Sequence, residues 1–354
     1  MIKILMKQIG QYKRDTILTP VFTGLEVLLE ILIPFITAKI IDEGIEAGNM
    51  TRVYQYGLLM LVMAALSLVC GYLAGAFAAR ASSGFACNLR DSMYESIQTY
   101  SFSNIDKFST AGLVTRMTTD VTNLQNAFQM IIRIAVRSPL MLIVSMVMCL
   151  VINARLSLIF VAAILVLGCI LFFIMTRTTK IFDQVFSKYD DLNASVQENV
   201  TAIRVVKAFV REDYENEKFT RAAQNLYRLF VKAEKILTFN NPAMMLVVYG
   251  CILALSWFGA RFVTAGSLTT GELTSMFSYV MSILMSLMML SMIFVMVTMS
   301  GASAKRIVQV LTEKPDLANP AKPVMEIPDG RIDFNHVSFS YKSAQTDLTQ
   351  ERKY

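Results

Sequence analysis

Residues Val196–Phe219 read VQENVTAIRVVKAFVREDYENEKF. Val196, Val200, Ile203, Val206 and Val210 recur every three or four residues, which predicts a helix with a single apolar stripe. Arg211, Glu212, Asp213, Glu215, Glu217 and Lys218 follow it, too many charges for a lipid environment. Yet the apolar runs on either side, Leu156–Thr176 and Ala243–Val263, are each about as long as the roughly 20 residues a helix needs to cross ~30 Å of hydrocarbon. A water-exposed amphipathic helix strung between two membrane spans is the reading that the rest of the chain has to fit.

The composition fits it. Of the 354 residues, 55% are hydrophobic and 17% charged, with a mean hydropathy of +0.50, values of a polytopic membrane protein. Further spans are predicted at Ile17–Ala38, Tyr56–Ala79, Ile134–Ile152 (with Arg137 near its start) and Leu273–Thr298. A signal peptide is a poor reading of the first run, which is long, contains Glu26 and Glu30 and lacks a small-residue cleavage pattern. Connections one, three and five are short: Ile41–Tyr54, Asn153–Arg155 and about Thr264–Glu272. Connections two and four are about 55 and 65 residues long and carry most of the Lys and Arg. With the basic N-terminal stretch this predicts a multi-pass cell-membrane protein with both termini and the long loops in the cytoplasm.

The long loops are poor in Gly and Pro and read as helices continuing out of the membrane, each pair joined by one tight turn. In the first the turn falls near Ser101–Gly112, SFSNIDKFSTAG. After the sixth span, Lys314–Pro328 holds Pro315, Pro320, Pro323 and Pro328 and reads as an extended linker. Arg331–Tyr341, RIDFNHVSFSY, alternates as a strand pair would. The expected organisation is therefore 1–313 membrane domain, 314–328 linker and 329–354 the start of a further domain.

The loop residues resemble those of the ABC exporter family. Gln197, Glu198, Ile203, Val206, Lys207, Ala208, Phe209 and Glu212 match a pattern Q-E-x-x-x-G-I-x-x-V-K-A-F-x-x-E, with Ala202 where the family has Gly. Asp106–Val121, DKFSTAGLVTRMTTDV, is similar to D-K-x-S-T-G-x-L-x-S/T-R-x-x-x-D-V, with Ala111 at the Gly position and Gly112 next to it. Ser303–Ile307 with Val310 and Leu311 resembles the exit helix of that family. The resemblance implies an all-α fold of six transmembrane helices with long cytoplasmic extensions, and a short β start of a nucleotide-binding domain. Two such halves form the pathway, in a homodimer or with a different half-transporter, and work by alternating access. Asp106, Lys107, Gly112, Arg116, Glu198, Lys207, Phe209 and Glu212 would couple them to ATPase domains that bind ATP and magnesium. Tyr341 would stack on the adenine.

Phosphate binding in that family needs G-x-x-x-x-G-K-[ST], whose backbone N–H groups cradle the anion. Residues 1–354 contain no such loop, and Gly330 is the last glycine. The expectation is a half-transporter cut short near the start of its ATPase domain, by truncation or a shifted reading frame, and unable to hydrolyse ATP by itself. Two other readings stand beside it: a non-enzymatic permease or regulatory membrane subunit that recruits a separate ATPase, and an ion-coupled secondary transporter using Glu26 and Glu30.

Two features could touch a hydrophobic or amphipathic substrate. Glu26 and Glu30 lie one turn apart in the first span, where carboxylates are costly and either pair with a basic residue near a helix end or face the pathway. Met281, Met285, Met288, Met292 and Met296, with Met299 beyond, fall within about 80° of one helix face. Such a flexible, polarisable surface suits varied apolar ligands, helix packing or lipid. Cys70, Cys87, Cys149, Cys169 and Cys251 have no metal-ligand spacing, and with the single His336 they give no metal site. Acids interleave with the loop bases, so nucleic acid is not an expected partner.

Overall fold

The computed structural model describes residues 1–315, 325–326 and 329–338, several positions between 175 and 190 by backbone alone. The helices are α1 (Ile2–Lys7), α2 (Lys13–Lys39), α3 (Met50–Gln98), α4 (Phe102–Phe108), α5 (Thr110–Thr115), α6 (Val121–Ile152), α7 (Ala154–Thr201), α8 (Ile203–Ala208), α9 (Glu212–Thr238), α10 (Asn240–Thr264) and α11 (Thr270–Thr312). Six helical stretches are long and apolar enough to cross a membrane, as the sequence predicts. α3, α7 and α11 run for 49, 48 and 43 residues. At 1.5 Å per residue α3 measures about 74 Å, more than twice the hydrocarbon thickness, so the predicted extensions are real.

The short connections are built by caps. Asn153, extended at φ −154°, ends α6 and accepts from the N–H groups of Arg155 and Leu156, both at 3.1 Å, so one residue reverses the chain. Thr269 and Glu272 form a reciprocal capping box at the start of α11. The first connection is shorter than expected: α2 continues through a π-helical turn, Ile40–Glu46, and α3 begins at Met50. Pro20, Pro34 and Pro139 sit inside α2 and α6. Pro242 lies in the first turn of α10, where its missing N–H costs nothing, and marks the start of span five as expected.

Four apolar cores hold the described helices together, the smallest joining Ala78 and Ala81 of α3 to Ile132 of α6. The largest joins Val27 and Ile31 of α2, Cys149 of α6, Leu156, Phe160 and Leu167 of α7, Cys251 and Leu255 of α10, and Met276, Ile283 and Leu287 of α11. Within it, Tyr279 is completely buried and donates its hydroxyl to Ile31 O at 2.9 Å, and Ser275 donates to Pro34 O. Both bonds serve the turn of α2 that Pro34 disturbs. At the end of the bundle that holds the long loops, Leu5 and Ile9 pack on Phe85, Leu89 and Met93 of α3, Phe108, Leu113, Val121 and Ala304, Ile307 and Val310 of α11. The third core, Ile181, Val185, Leu226 and Ala233, holds α7 to α9. On α3, beside the second core, Gly84 is required by close approach: a Cβ would lie 2.3 Å from the Tyr12 ring.

Three expectations change. The opening stretch is not one helix: Ala202 ends α7 at φ −93°, ψ 13°, α8 takes only Ile203–Ala208, and α9 starts at Glu212. α8 stops in a Schellman closure, in which Arg211 N–H donates to Val206 O (3.0 Å) and Val210 N–H to Lys207 O (3.3 Å). Val210 pays for this with φ +49°, a left-handed conformation rare for a β-branched residue. The first loop likewise turns through two short helices, α4 and α5, hinged at Ser109 with φ +55°. Finally, the expected β start is not seen: residues 330–338 form neither strand nor helix, because no second strand pairs with them among the described residues. Most of the linker lies outside the described residues.

Candidate functional site

The coupling residues predicted from the loops separate into two groups on different elements. The first gathers on the end of α11. Lys107 Nζ reaches both carboxylate oxygens of Glu313 at 2.8 and 2.9 Å, and Asn104 Nδ2 donates to Glu313 Oε1 and Lys314 O, each at 3.1 Å. Arg116 donates to Arg306 O (3.1 Å) and lies 4.7 Å above the Phe108 ring. Gly112 gives its N–H to the Ser109 hydroxyl, capping α5. Asp106 is exposed to solvent. Tyr100, stacked on Phe108, donates to Val310 O at 2.6 Å, and burial pushes its hydroxyl up to about 12.

The sequence reading missed the strongest contact in this group. Asp120 closes a second π-helical turn, Arg116–Asp120. Its side chain is 1% exposed, and it accepts from Ser303 Oγ (2.9 Å), Arg306 Nε (2.7 Å) and Arg306 Nη2. Burial alone would raise this carboxyl, but the Arg306 and Ser303 hydrogen bonds outweigh it and hold the acid below its ordinary range. Asp120 and Arg306 both stand in quoted sequence patterns; what the sequence does not show is that they meet.

The second group caps the α7–α9 arm. Glu198 pairs with Lys218 at 2.9 Å, and Lys207 with Glu212 at 3.0 Å, spanning the α8 turn. The hydrogen bond from Lys207 comes first among the causes that lower Glu212. Phe209 and Val210 stand out at 74% and 81% exposed, beside exposed Ile203 and Val205. The tip is thus an apolar surface open to solvent and held on ion-paired flanks.

Glu26 and Glu30 meet one guanidinium. Arg137 donates through Nη1 to Glu26 and through Nη2 to Glu30 Oε2 (2.6 Å). This partner lies in the interior of α6, not near a helix end. The methionine face turns away from the chain's own core: Met281, Met285, Met288, Met292 and Met299 are exposed and Met296 half-buried, opposite buried Met276, Tyr279, Ile283 and Leu287. At the other end of α11, Asp42 accepts from Thr269 Oγ1 (2.6 Å) and Gly271 N–H (2.8 Å). A Cβ on Gly271 would lie 2.3 Å from Ala38 O. Tyr341 lies outside the described residues.

Residues 16–288 match a family model described as ABC transporter transmembrane region. A Bacillus subtilis protein named an uncharacterized ABC transporter ATP-binding protein is 32% identical over 89% of this chain and 55% of its own length. A Mycobacterium tuberculosis protein named in the same way is 26% identical over 99% of this chain and 61% of its own. The ATP-dependent lipid A-core flippase of Aromatoleum aromaticum is 25% identical over 85% and 49%. The chain thus spans little more than half the length of the curated relatives it matches.

Proposed function

The chain belongs to the family of ABC transporter transmembrane regions, and from that premise we propose that it is the membrane half of an ATP-driven exporter of hydrophobic or amphipathic compounds. Two halves pair to enclose the pathway, with the basic loop end and both termini on the cytoplasmic side of the cell membrane. ATP and magnesium act on ATPase domains outside residues 1–354, with Tyr341 lending an adenine-stacking face. Such a domain docks on α4–α5 and α8, and the movement reaches the spans through the first loop's hold on α11 and through the α7–α9 arm. The observation that carries this reading is α8: a short helix at the tip of a paired arm, its Phe209 almost bare, has no folding reason to expose apolar residues. The name of the flippase relatives supports a lipid-like substrate, and Glu26, Glu30 and the methionine face lie on the pathway.

The test is reconstitution of the chain in vesicles with an ATPase domain of the kind its relatives are named for. Nucleotide-dependent crosslinking of Phe209→Cys to that domain is the expected result, and Phe209→Asp should abolish the crosslink formed by Val205→Cys, at an exposed position on α8. Substrate uptake driven by an ion gradient with no ATPase present overturns the proposal and restores the secondary-transporter reading.

A further inference from the structure

Glu26 lies halfway along α2, about 20 Å from either end at 1.5 Å per residue. It shares a face with Thr19, Thr23 and Glu30 through i, i+3 and i, i+4 spacing. Thr19 satisfies itself on Asp15 O at 2.8 Å. Two atoms on this face do not: Thr23 Oγ1, on a side chain that is 0% exposed, and Glu26 Oε2 are buried without a hydrogen-bond partner among the described residues. Arg137 is already committed, one arm of its fork to each glutamate. Arg133, one turn away on α6, forms no ion pair among the described residues and faces Gly75 of α3, as Glu26 faces Gly71. The triad therefore carries two carboxylates against one guanidinium, with Arg133 one turn further along α6. It is not sealed, since the Glu30 and Arg137 side chains are 39% and 30% exposed.

Buried acceptors without donors are costly and mark a place where something else supplies the hydrogen. Resting on the reading that α2 borders the pathway, we propose that this face binds the headgroup of a primary-ammonium amphiphile, its N–H groups donating to Glu26 Oε2 and Thr23 Oγ1. The two side chains, three residues apart, are within reach of one such group. A quaternary ammonium brings the charge without the donors, an alcohol brings a donor without the charge, and a sulfate brings neither.

The experiment measures binding of dodecylammonium, dodecyltrimethylammonium, dodecanol and dodecyl sulfate to the full chain in lipid nanodiscs, without nucleotide. Dodecylammonium should bind on the order of tenfold more tightly than its trimethyl analogue, the worth of a charge-assisted hydrogen bond. Glu26→Gln should remove most of that preference while leaving dodecanol within about twofold. Arg137 keeps Glu30 as a partner in that variant; if it nevertheless fails to fold, Thr23→Val, which deletes a group with no partner, carries the test with a loss of about threefold. Equal affinity for the primary and quaternary ammonium, as a site filled only by water would give, overturns the inference, and so does a preference untouched by both variants. Selective binding by a chain that shows no nucleotide-dependent crosslinking keeps this inference and removes the exporter reading instead.

Discussion

Val210→Gly should make the α8 turn more stable, although it deletes an apolar side chain. Val210 sits at φ +49° and is 81% exposed, so its isopropyl group contributes strain and almost no packing. A Cβ in the left-handed region costs roughly 1–2 kcal/mol, and glycine relieves it. Against that, glycine gives the open state more freedom, a cost of about 0.5–1 kcal/mol. The net gain is on the order of 0.5–1 kcal/mol, confined to the turn. The reporters are the two N–H groups that close it, Val210 to Lys207 O and Arg211 to Val206 O. Hydrogen exchange on the chain in nanodiscs should slow at those amides by roughly two- to fivefold, while amides in the α10 and α11 spans stay unchanged. Val210→Ala is the control: it keeps the Cβ and should recover much less. An alanine variant as protected as the glycine one, or faster exchange in the glycine variant, would show that the turn is not strained in this way.

Other contacts give sharper losses. Arg306→Met leaves Asp120 buried with Ser303 as its remaining partner; because Arg306 is itself half-exposed, the expected cost is about 2 kcal/mol rather than the 3–5 of a sealed pair, read as thermal stability in detergent. The same acid predicts a pH response. Its folded-state pKa lies below the unfolded value of about 3.9, so its contribution is present above that pH and is lost as pH falls through the lower folded value. Acid should therefore destabilise the wild type below about pH 4, and Asp120→Asn should lack that step when stability is titrated. Gly84→Ala forces a Cβ to 2.3 Å from the Tyr12 ring and should cost about 1–3 kcal/mol. Tyr12→Ala in the same chain should restore most of the loss attributable to the clash, measured against Tyr12→Ala alone.

The spans, the long extensions and the side of the bundle that holds the loops were all legible, because each depends on local hydropathy and charge. Where the reading failed, distant or conformational facts decide. The valine stripe from Val196 to Val210 keeps helical spacing, so periodicity joins what Ala202 and the left-handed Val210 break apart. Glu26 and Glu30 were recognisable as expensive, but their partner Arg137 comes from more than a hundred residues away. Asp120 and Arg306 were visible as pattern residues, and only the fold makes them one contact. Strand alternation in Arg331–Tyr341 says which side chains would share a face; it cannot supply the neighbouring strand.

What these contacts do together is clearest along α11. Its side-chain bonds to other elements cluster at two places. Near its start, Gly271 is held by Asp42, while Ser275 and Tyr279 hold α2; beyond Ser303 come Asp120, Arg116 and Tyr100. From Tyr279 to Ser303 is about 36 Å at 1.5 Å per residue, close to the thickness of the hydrocarbon layer. Between them, the Ser282, Ser286 and Thr298 hydroxyls bond only within the helix, and the exposed surface is apolar and rich in methionine, with Phe294, Val295 and Val297. Among the described residues α11 is thus pinned at both ends and held by apolar packing through its middle, which leaves that middle free to adjust its side chains without disturbing its ends. Replacing Met285, Met288 and Met292 together by Leu conserves volume on an exposed face and should change stability by less than about 1.5 kcal/mol. It should nonetheless narrow the range of apolar probes the chain binds in nanodiscs, since leucine re-packs less readily than methionine. An unchanged probe range at unchanged stability would mean that this face meets lipid and nothing else.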